Sequence, residues 1–202
     1  MTIRSAVIAA AMGSTLIASR NLSAQEAGAR TVPQTKSRWE FLALSGTLVP
    51  TGSERDVLKR ADVSAAQLTF LVRPAVALTS TIGWARSRDV SIGDNPKLDV
   101  FTYDVGAEVR APGRNLGESF SIAPFAGTGV GGRSYNYRKL DVDATHNLAG
   151  YATAGAEFGV RRVHLRLEAR DYLTGFKPLS GTGAGLTGND VVVLAGLRIG
   201  TR

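Results

Sequence analysis

The octapeptide VHLRLEAR, residues 163–170, alternates strictly between apolar and charged or polar side chains. In a β-strand, successive side chains point to opposite faces, so Val163, Leu165 and Leu167 would share one face and their neighbours the other. In an α-helix, the same order would scatter the charges around the whole surface. The stretch therefore predicts a β-strand with one apolar and one charged face.

The same period of two recurs along the chain after Ser37. It is clear again in FTYDVGAEVR (101–110), where Phe101, Tyr103 and Val105 alternate with polar or small residues. Such runs predict eight strands, at 39–50, 65–73, 76–87, 97–110, 119–134, 147–159, 162–174 and 189–201.

The connections between these strands alternate in length. The short ones span 73–75, 111–117 and 160–162, and the longer polar ones span 51–64, 86–96, 134–146 and 175–188. Short periplasmic turns, longer outward loops and an even number of strands are typical of outer-membrane barrels. We therefore predict an all-β fold, an eight-stranded antiparallel up-and-down transmembrane β-barrel. Both chain termini would lie on the side of the short turns.

The N-terminus has the layout of a secretory signal peptide. Arg4 supplies positive charge, and residues 5–18 are uncharged and mostly apolar. We expect residues 1–24 to be removed, with Ala29 as an alternative last residue of the peptide. Residues 25–36 would then form a short linker and 37–202 the barrel. Elsewhere the sequence has no apolar run of about 18 residues, so no transmembrane helix is expected.

Composition excludes several classes of site. The 202 residues include no cysteine, which excludes a disulfide scaffold and thiolate metal ligands. The formal charge of +7 falls by two with the signal peptide, because Arg4 and Arg20 leave with it. The remaining basic residues are spread along the sequence, so we expect neither a basic face nor nucleic-acid binding.

Charged residues fall on the strand face opposite the apolar one, and small residues such as Gly106 and Gly155 share that face. A narrow eight-stranded barrel has just enough interior space for side chains. Charges of both signs could pair there, whereas an unpaired buried charge costs several kcal/mol. We interpret them as a structural network that fills the lumen, with a gate or narrow ion path as the alternative. The network comprises Asp104, Glu108, Arg110, Glu157, Arg166, Glu168, Arg170 and Arg198.

Four aromatic residues lie near predicted strand ends: Trp39, Trp84, Tyr103 and Phe158. Aromatic residues form belts at both interfaces of a membrane barrel, and we predict that role for these four. The alternative is that they are core residues of a soluble barrel.

Three stretches carry a family resemblance: WEFLALSGTLVPTG (39–52), LTFLVRPAVALTSTIGWARS (68–87) and GAEFGV (155–160). They resemble the opening strand and loop, the first periplasmic hairpin and a later strand of small outer-membrane barrels of the A and W types. The resemblance is one of pattern and spans the mature chain. It implies contact with outer-membrane lipid, insertion by the barrel-assembly machinery and a monomer. Those barrels usually end in an aromatic residue, whereas this chain ends in Ile199-Gly-Thr-Arg202.

Signatures of catalysis and of cofactors are sparse. The two histidines, His146 and His164, fall at opposite ends of the predicted barrel, which argues against a shared metal site. Gly183, Gly185 and Gly188 have the spacing of a dinucleotide-binding turn, but a strand follows them instead of a helix. We therefore predict no catalytic residue, no cofactor and no metal.

We predict a structural, surface-interaction or limited small-solute passage role in the outer membrane. One alternative is a soluble periplasmic barrel with its apolar face inward, binding a small apolar ligand. Another is a lipid hydrolase or acyltransferase using Ser134 and His146, which flank one loop. Loop 51–64 is expected to be solvated, with a surface contact site as its alternative.

Overall fold

A computed structural model describes residues 38–116, 120–160, 163–176 and 186–199. Eight long strands and one two-residue strand, β5, make up its sheet. They are β1 (Trp39–Thr51), β2 (Ala61–Arg73), β3 (Val76–Arg88), β4 (Lys97–Arg110), β5 (Arg114–Asn115), β6 (Phe120–Tyr137), β7 (Thr145–Val160), β8 (Val163–Phe176) and β9 (Leu186–Ile199). A 3-10 helix, Gly52–Asp56, follows β1.

The long strands close into a barrel. Each pairs antiparallel with its neighbour in the chain, β4 pairs with β6, and the first strand pairs with the last. That seam runs from Ala43 opposite Leu197 to Thr51 opposite Asn189. Closure removes the free edges of the sheet. The predicted eight-stranded up-and-down antiparallel barrel is confirmed.

Several strands are longer than predicted, mainly at the end with the longer connections. β2 begins at residue 61 instead of 65, β6 continues to 137 and β9 begins at 186. Polar side chains such as Asn136 do not prevent backbone pairing. The change to polar sequence therefore marks the end of the apolar wall, and the strands continue beyond it. We call this end of the barrel the loop end and the other, which holds the short connections, the turn end.

The two faces of the barrel differ in polarity. On β3, Ile82 is 58% exposed, whereas its neighbour Thr81 is 3% exposed. Leu78, Val105 and Leu197 also have exposed apolar side chains. The outer wall is therefore apolar, and the alternation seen in sequence separates this wall from the lumen.

Glycines make room for a tyrosine inside the lumen. A Cβ atom at Gly106 would lie 2.2 Å from the hydroxyl oxygen of Tyr151, and one at Gly129 would lie 2.5 Å from its ring. Gly129 belongs to the GTGVGG stretch at 127–132, which lies within β6. Three of its four glycines, Gly127, Gly129 and Gly131, thus serve close packing, since a Cβ at each would lie within 2.6 Å of a neighbouring atom.

Other sequence predictions fall partly outside the described residues. Gly188 lies in β9, whereas Gly183 and Gly185 are not described. The predicted signal peptide and linker, 1–36, and the C-terminal residues 200–202 are likewise outside the described ranges. Within those ranges, no helix has the length and apolar character needed to cross a membrane.

Candidate functional site

The lumen near the turn end holds a network of ion pairs centred on Arg166. Its guanidinium contacts three carboxylates: Glu108 at 2.6 Å, Glu168 at 2.8 Å and Glu157 at 3.2 Å. It also lies over the ring of Phe125, 3.6 Å from the centroid. One arginine on β8 therefore joins carboxylates from β4 and β7 across the lumen.

Arg170, two lumen positions further along β8 and beyond Glu168, extends the network toward the loop end. It pairs with Glu168 on its own strand and with Asp104 on β4, at 3.3 Å from the latter. It also donates hydrogen bonds to Gln67 Oε1 at 2.8 Å and Thr81 Oγ1 at 3.1 Å. These acceptors lie on β2 and β3, so the side chain bridges the barrel.

Two further arginines complete the network at the turn end. Arg110 contacts Glu40 at 2.8 Å and Glu108 at 2.7 Å. Arg198 pairs with Glu40 and contacts Glu157 at 2.9 Å. Arg110 and Arg198 are half-buried, because they lie closest to solvent at that end.

The structure brings all eight charged residues singled out from the sequence into this one network, and six of them are buried. Sequence reasoning missed Glu40, Gln67, Thr81 and Tyr172, whose hydroxyl donates a hydrogen bond to Asp104. Glu40 was overlooked because lumen-facing leucines blur the alternation of β1. Its position two residues before Leu42, on the same face, was the available signal.

An apolar layer with four tyrosines fills the lumen beyond the charges. Tyr151 and Tyr172 pack with their rings tilted by 42° and their centroids 5.4 Å apart, and Arg133 lies 4.3 Å over the ring of Tyr172. The other buried members of this layer include Leu48, Val63, Leu98, Val100, Tyr135, Tyr137, Val192 and Leu194. One cavity within this part of the lumen measures about 20 Å³.

The 3-10 helix closes the loop end and corrects the prediction of a solvated loop at 51–64. Glu54, Val57 and Leu58 are all buried. Val57 and Leu58 cover the apolar layer, and a Cβ at Gly188 would lie 2.4 Å from Glu54 Oε2. The first part of this connection is therefore a plug that packs against the last strand.

Two carboxyl groups meet under this plug. Tyr135 donates a hydrogen bond to Glu54 at 3.2 Å, and Arg133 pairs with Asp190. Glu54 Oε2 and Asp190 Oδ1 have no donor among the described residues. Burial, together with hydrogen bonding to and repulsion from Asp190, raises the pKa of Glu54 to about 8, although Arg133 and Tyr135 oppose the shift. A carboxyl with this pKa is mostly protonated at neutral pH, so Glu54 can supply the missing donor.

The four aromatic residues singled out from the sequence lie on the outer wall. Trp39 packs on Phe70 at 4.7 Å between centroids, and Phe158 stacks with Phe120 at 6.3 Å, both pairs at the turn end. Trp84 lies toward the loop end. The guanidinium of Arg86 lies over the Trp84 ring, 4.3 Å from the ring centroid. Tyr103 is opposite Ile82 in register, one outward position further into the wall than Trp84.

One expectation from the sequence was wrong: the chain does form a basic face. Six cationic side chains line a cleft at the loop end: Lys59, Arg60, Arg86, Arg88, Lys97 and Arg138. They are spread over some eighty residues of sequence, and strand pairing brings them together. This cluster is called the basic rim below.

His146 lies at the loop end of β7 and His164 at the turn end of β8, so the two histidines are far apart. Ser134 and His146 face each other in register across β6 and β7. The hydrogen bonds of the described residues do not join them. Within the described ranges, no group of three or more His, Cys, Asp or Glu side chains is arranged to hold a metal ion.

No protein-family model matches the chain, and no curated protein sequence matches it. Among solved structures, Neisserial surface protein A (NspA) is similar with a TM-score of 0.60 and 10% identity, over 83% of this chain and 100% of that one. The N-terminal β-barrel domain of Pseudomonas aeruginosa OprF gives a TM-score of 0.45 and 12% identity, covering 82% and 98%. Ail of Yersinia pestis gives 0.47 and 11%, covering 80% and 96%. The resemblance drawn from sequence is thus confirmed for the fold, which is that of the small eight-stranded outer-membrane β-barrels.

Proposed function

We propose that the protein is an integral outer-membrane barrel with a closed lumen and a structural or surface-interaction role. The apolar outer wall and the shared fold with NspA support the membrane placement. On β3, the outward residues from Val76 to Trp84 cover eight residue steps. This corresponds to about 26 Å along the strand and about 20 Å in height at a tilt of about 40°. The height is close to the apolar band of about 25 Å that such barrels present.

The orientation of the barrel in the membrane follows from the lengths of its connections. Short turns face the periplasm in bacterial outer-membrane barrels, and longer loops face outward. In the proposed placement, the loop end with its Glu54 plug and the basic rim faces the exterior. The aromatic pairs of Trp39 and Phe158 lie at the periplasmic interface.

The observation that carries the closed-lumen proposal is the bridging by Arg170. Its guanidinium reaches from β8 to groups on β2, β3 and β4, so it obstructs the path along the axis. The lumen cavity that Arg170 helps to line has a volume of about 20 Å³ and could hold about one water molecule. This arrangement favours a structural network over the gate or ion path that the charges also allowed.

Conductance in a planar lipid bilayer tests the closed lumen. Chain refolded into lipid should migrate differently before and after boiling in a detergent gel, which reports insertion. The inserted protein should then give no ion-current steps. Current steps from heat-modifiable protein would refute the closed lumen and favour passage. Fractionation of the native chain with soluble periplasm would refute the membrane placement and favour the soluble ligand-binding barrel.

We further propose that the chain is not an enzyme. Ser134 and His146 face each other but share no hydrogen bond within the described part of the chain, whereas a serine nucleophile needs its base within hydrogen-bond reach. Cells expressing Ser134→Ala or His146→Ala should have the same outer-membrane lipid composition as cells with the parent. A change in acylation that both variants abolish would overturn this proposal.

A further inference from the structure

The basic rim is built by the register of the strands. Arg88 is opposite Lys97, and Arg86 is opposite Asp99. The backbone amide of Arg138 donates to the carbonyl of Lys97 at 2.9 Å, and that of Lys59 to the carbonyl of Arg88 at 3.0 Å. Four segments that are distant in sequence are therefore held side by side by backbone hydrogen bonds.

The cleft at the basic rim has a volume of about 330 Å³. Its lining includes six cations but a single carboxylate, that of Asp99, which leaves an excess of five positive charges. Asp99 is already engaged by Arg138 at 2.6 Å. Within the described part of the chain, the other five cations have no ion pair. Such a concentration of like charge is unfavourable until an anion occupies it.

The arginines among these five cations use few of their N–H donors. Arg60 donates one bond to Thr47 Oγ1 at 3.1 Å, and Arg88 donates one to the carbonyl of Asn95 at 3.3 Å. Arg86 stacks on Trp84. Since a guanidinium carries five N–H donors, each of these arginines can still bind an oxyanion with two hydrogen bonds.

The basic rim begins where the apolar wall ends. Along the outward face of β3, Leu78, Ile82 and Trp84 are followed directly by Arg86 and Arg88. An amphiphile with its chains along the wall would therefore place its head group among the cations. This position favours a lipid over a soluble polyanion as the occupant.

We propose that the basic rim binds the phosphate groups of lipids in the outer leaflet, with their acyl chains lying along the wall below. This inference rests on the proposed membrane placement. A phosphate monoester carries up to two negative charges, so two phosphates would neutralise up to four of the five excess charges. Arginine is well suited to phosphate because its planar fork matches two phosphate oxygens.

The test uses the full chain in detergent micelles with two lipid probes of identical acyl chains, phosphorylated lipid A and its dephosphorylated form. Bound lipid is measured by native mass spectrometry, which does not depend on insertion into a bilayer. The parent should bind the phosphorylated probe, and the triple variant Arg86→Gln, Arg88→Gln, Lys97→Gln should bind it on the order of 100-fold more weakly. Neither protein should retain the dephosphorylated probe.

A matched control removes three exposed cations from the turn end: Arg38→Gln, Arg73→Gln and Arg114→Gln. The control has the same net charge as the rim variant and should bind the phosphorylated probe as the parent does. An equal loss in both variants would overturn the proposal, because it would reflect total charge and not a site. Equal binding of the two lipid probes by the parent would overturn it as well.

Two competitors distinguish the possible sources of the anion. Inorganic phosphate at millimolar concentration should displace little of the phosphorylated lipid, and a sulfated oligosaccharide should not bind more tightly than the lipid. Complete displacement by phosphate would assign the rim to a free anion, and tighter binding of the oligosaccharide would assign it to a soluble polyanion. Heat-modified gel migration of the same samples reports folding, so loss of lipid binding by a folded variant is separable from failure of the membrane placement.

Discussion

Replacing Glu54 with Gln should remove a large part of the pH dependence of the barrel's stability. Glu54 belongs to the 3-10 helix and is 0% exposed, and its side chain lies beside Asp190. Its pKa is raised from 4.5 to about 8 in the folded protein. Gln keeps the size of the side chain and the hydrogen-bond donor that the protonated carboxyl provides, but it has no proton to lose.

The sign and size of the effect follow from proton linkage. Between pH 4.5 and pH 8, the folded state holds a proton on Glu54 that the unfolded chain has released. The free energy of unfolding therefore falls as the pH rises through this window, by about 1.4 kcal/mol for each pH unit. The fall amounts to at most about 5 kcal/mol and ends above the folded pKa. In Glu54→Gln this contribution should be absent.

Urea unfolding in detergent micelles at a series of pH values measures the effect. Other groups titrate in both proteins, so the informative quantity is the difference in slope between parent and variant. Asp56→Asn is the matched control, because Asp56 is exposed in the same 3-10 helix and should leave the slope unchanged. Hydrogen exchange at residues 52–58 should speed up with pH in the parent beyond the intrinsic rate. Equal slopes in the parent and Glu54→Gln would refute the reasoning.

Two further substitutions test the lumen. Arg166→Met should lower the free energy of unfolding by about 3–5 kcal/mol in the same urea assay, because three buried carboxylates lose their shared partner. A loss below about 1 kcal/mol would contradict a central role of Arg166 in the ion-pair network. Gly129→Ala should cost about 1–3 kcal/mol or prevent refolding, because its Cβ would lie 2.4 Å from the carbonyl oxygen of Val105 and 2.5 Å from the ring of Tyr151. Gly132→Ala is its control, since the nearest atom to that Cβ is 3.8 Å away, and equal stability of the two variants would show that the lumen is not closely packed there.

The fold could be predicted from the sequence because every strand of a closed barrel follows the same pattern. Each strand has an apolar face toward the exterior, so alternation such as that of 163–170 is present in nearly every strand. The strand ends were less predictable. Beyond the apolar wall, pairing depends on backbone hydrogen bonds, to which polar residues such as Asn136 and Thr145 are no obstacle.

The lumen charges could be found from alternation, but their partners could not. Pairing across the lumen depends on shear and on strand neighbours that are remote in sequence, as for Arg170 and Gln67. The Glu54 plug and the basic rim were missed for the same reason. In both, residues of the first connection contact strands that come later in the chain. The local sequence of 51–64 contains no pattern that predicts those contacts.

The contact between Glu54 and the last strand has a consequence for how the barrel is completed. Pairings between chain neighbours can form as successive hairpins, whereas the β1–β9 seam joins residues more than a hundred positions apart. Gly188 and Asp190 reach Glu54 only when that seam has formed. At neutral pH the carboxyl must then take up a proton that it lacked in the open chain. We therefore expect closure of this barrel to be accompanied by proton uptake from the solvent, and a pH indicator in weakly buffered refolding mixtures would time the final step.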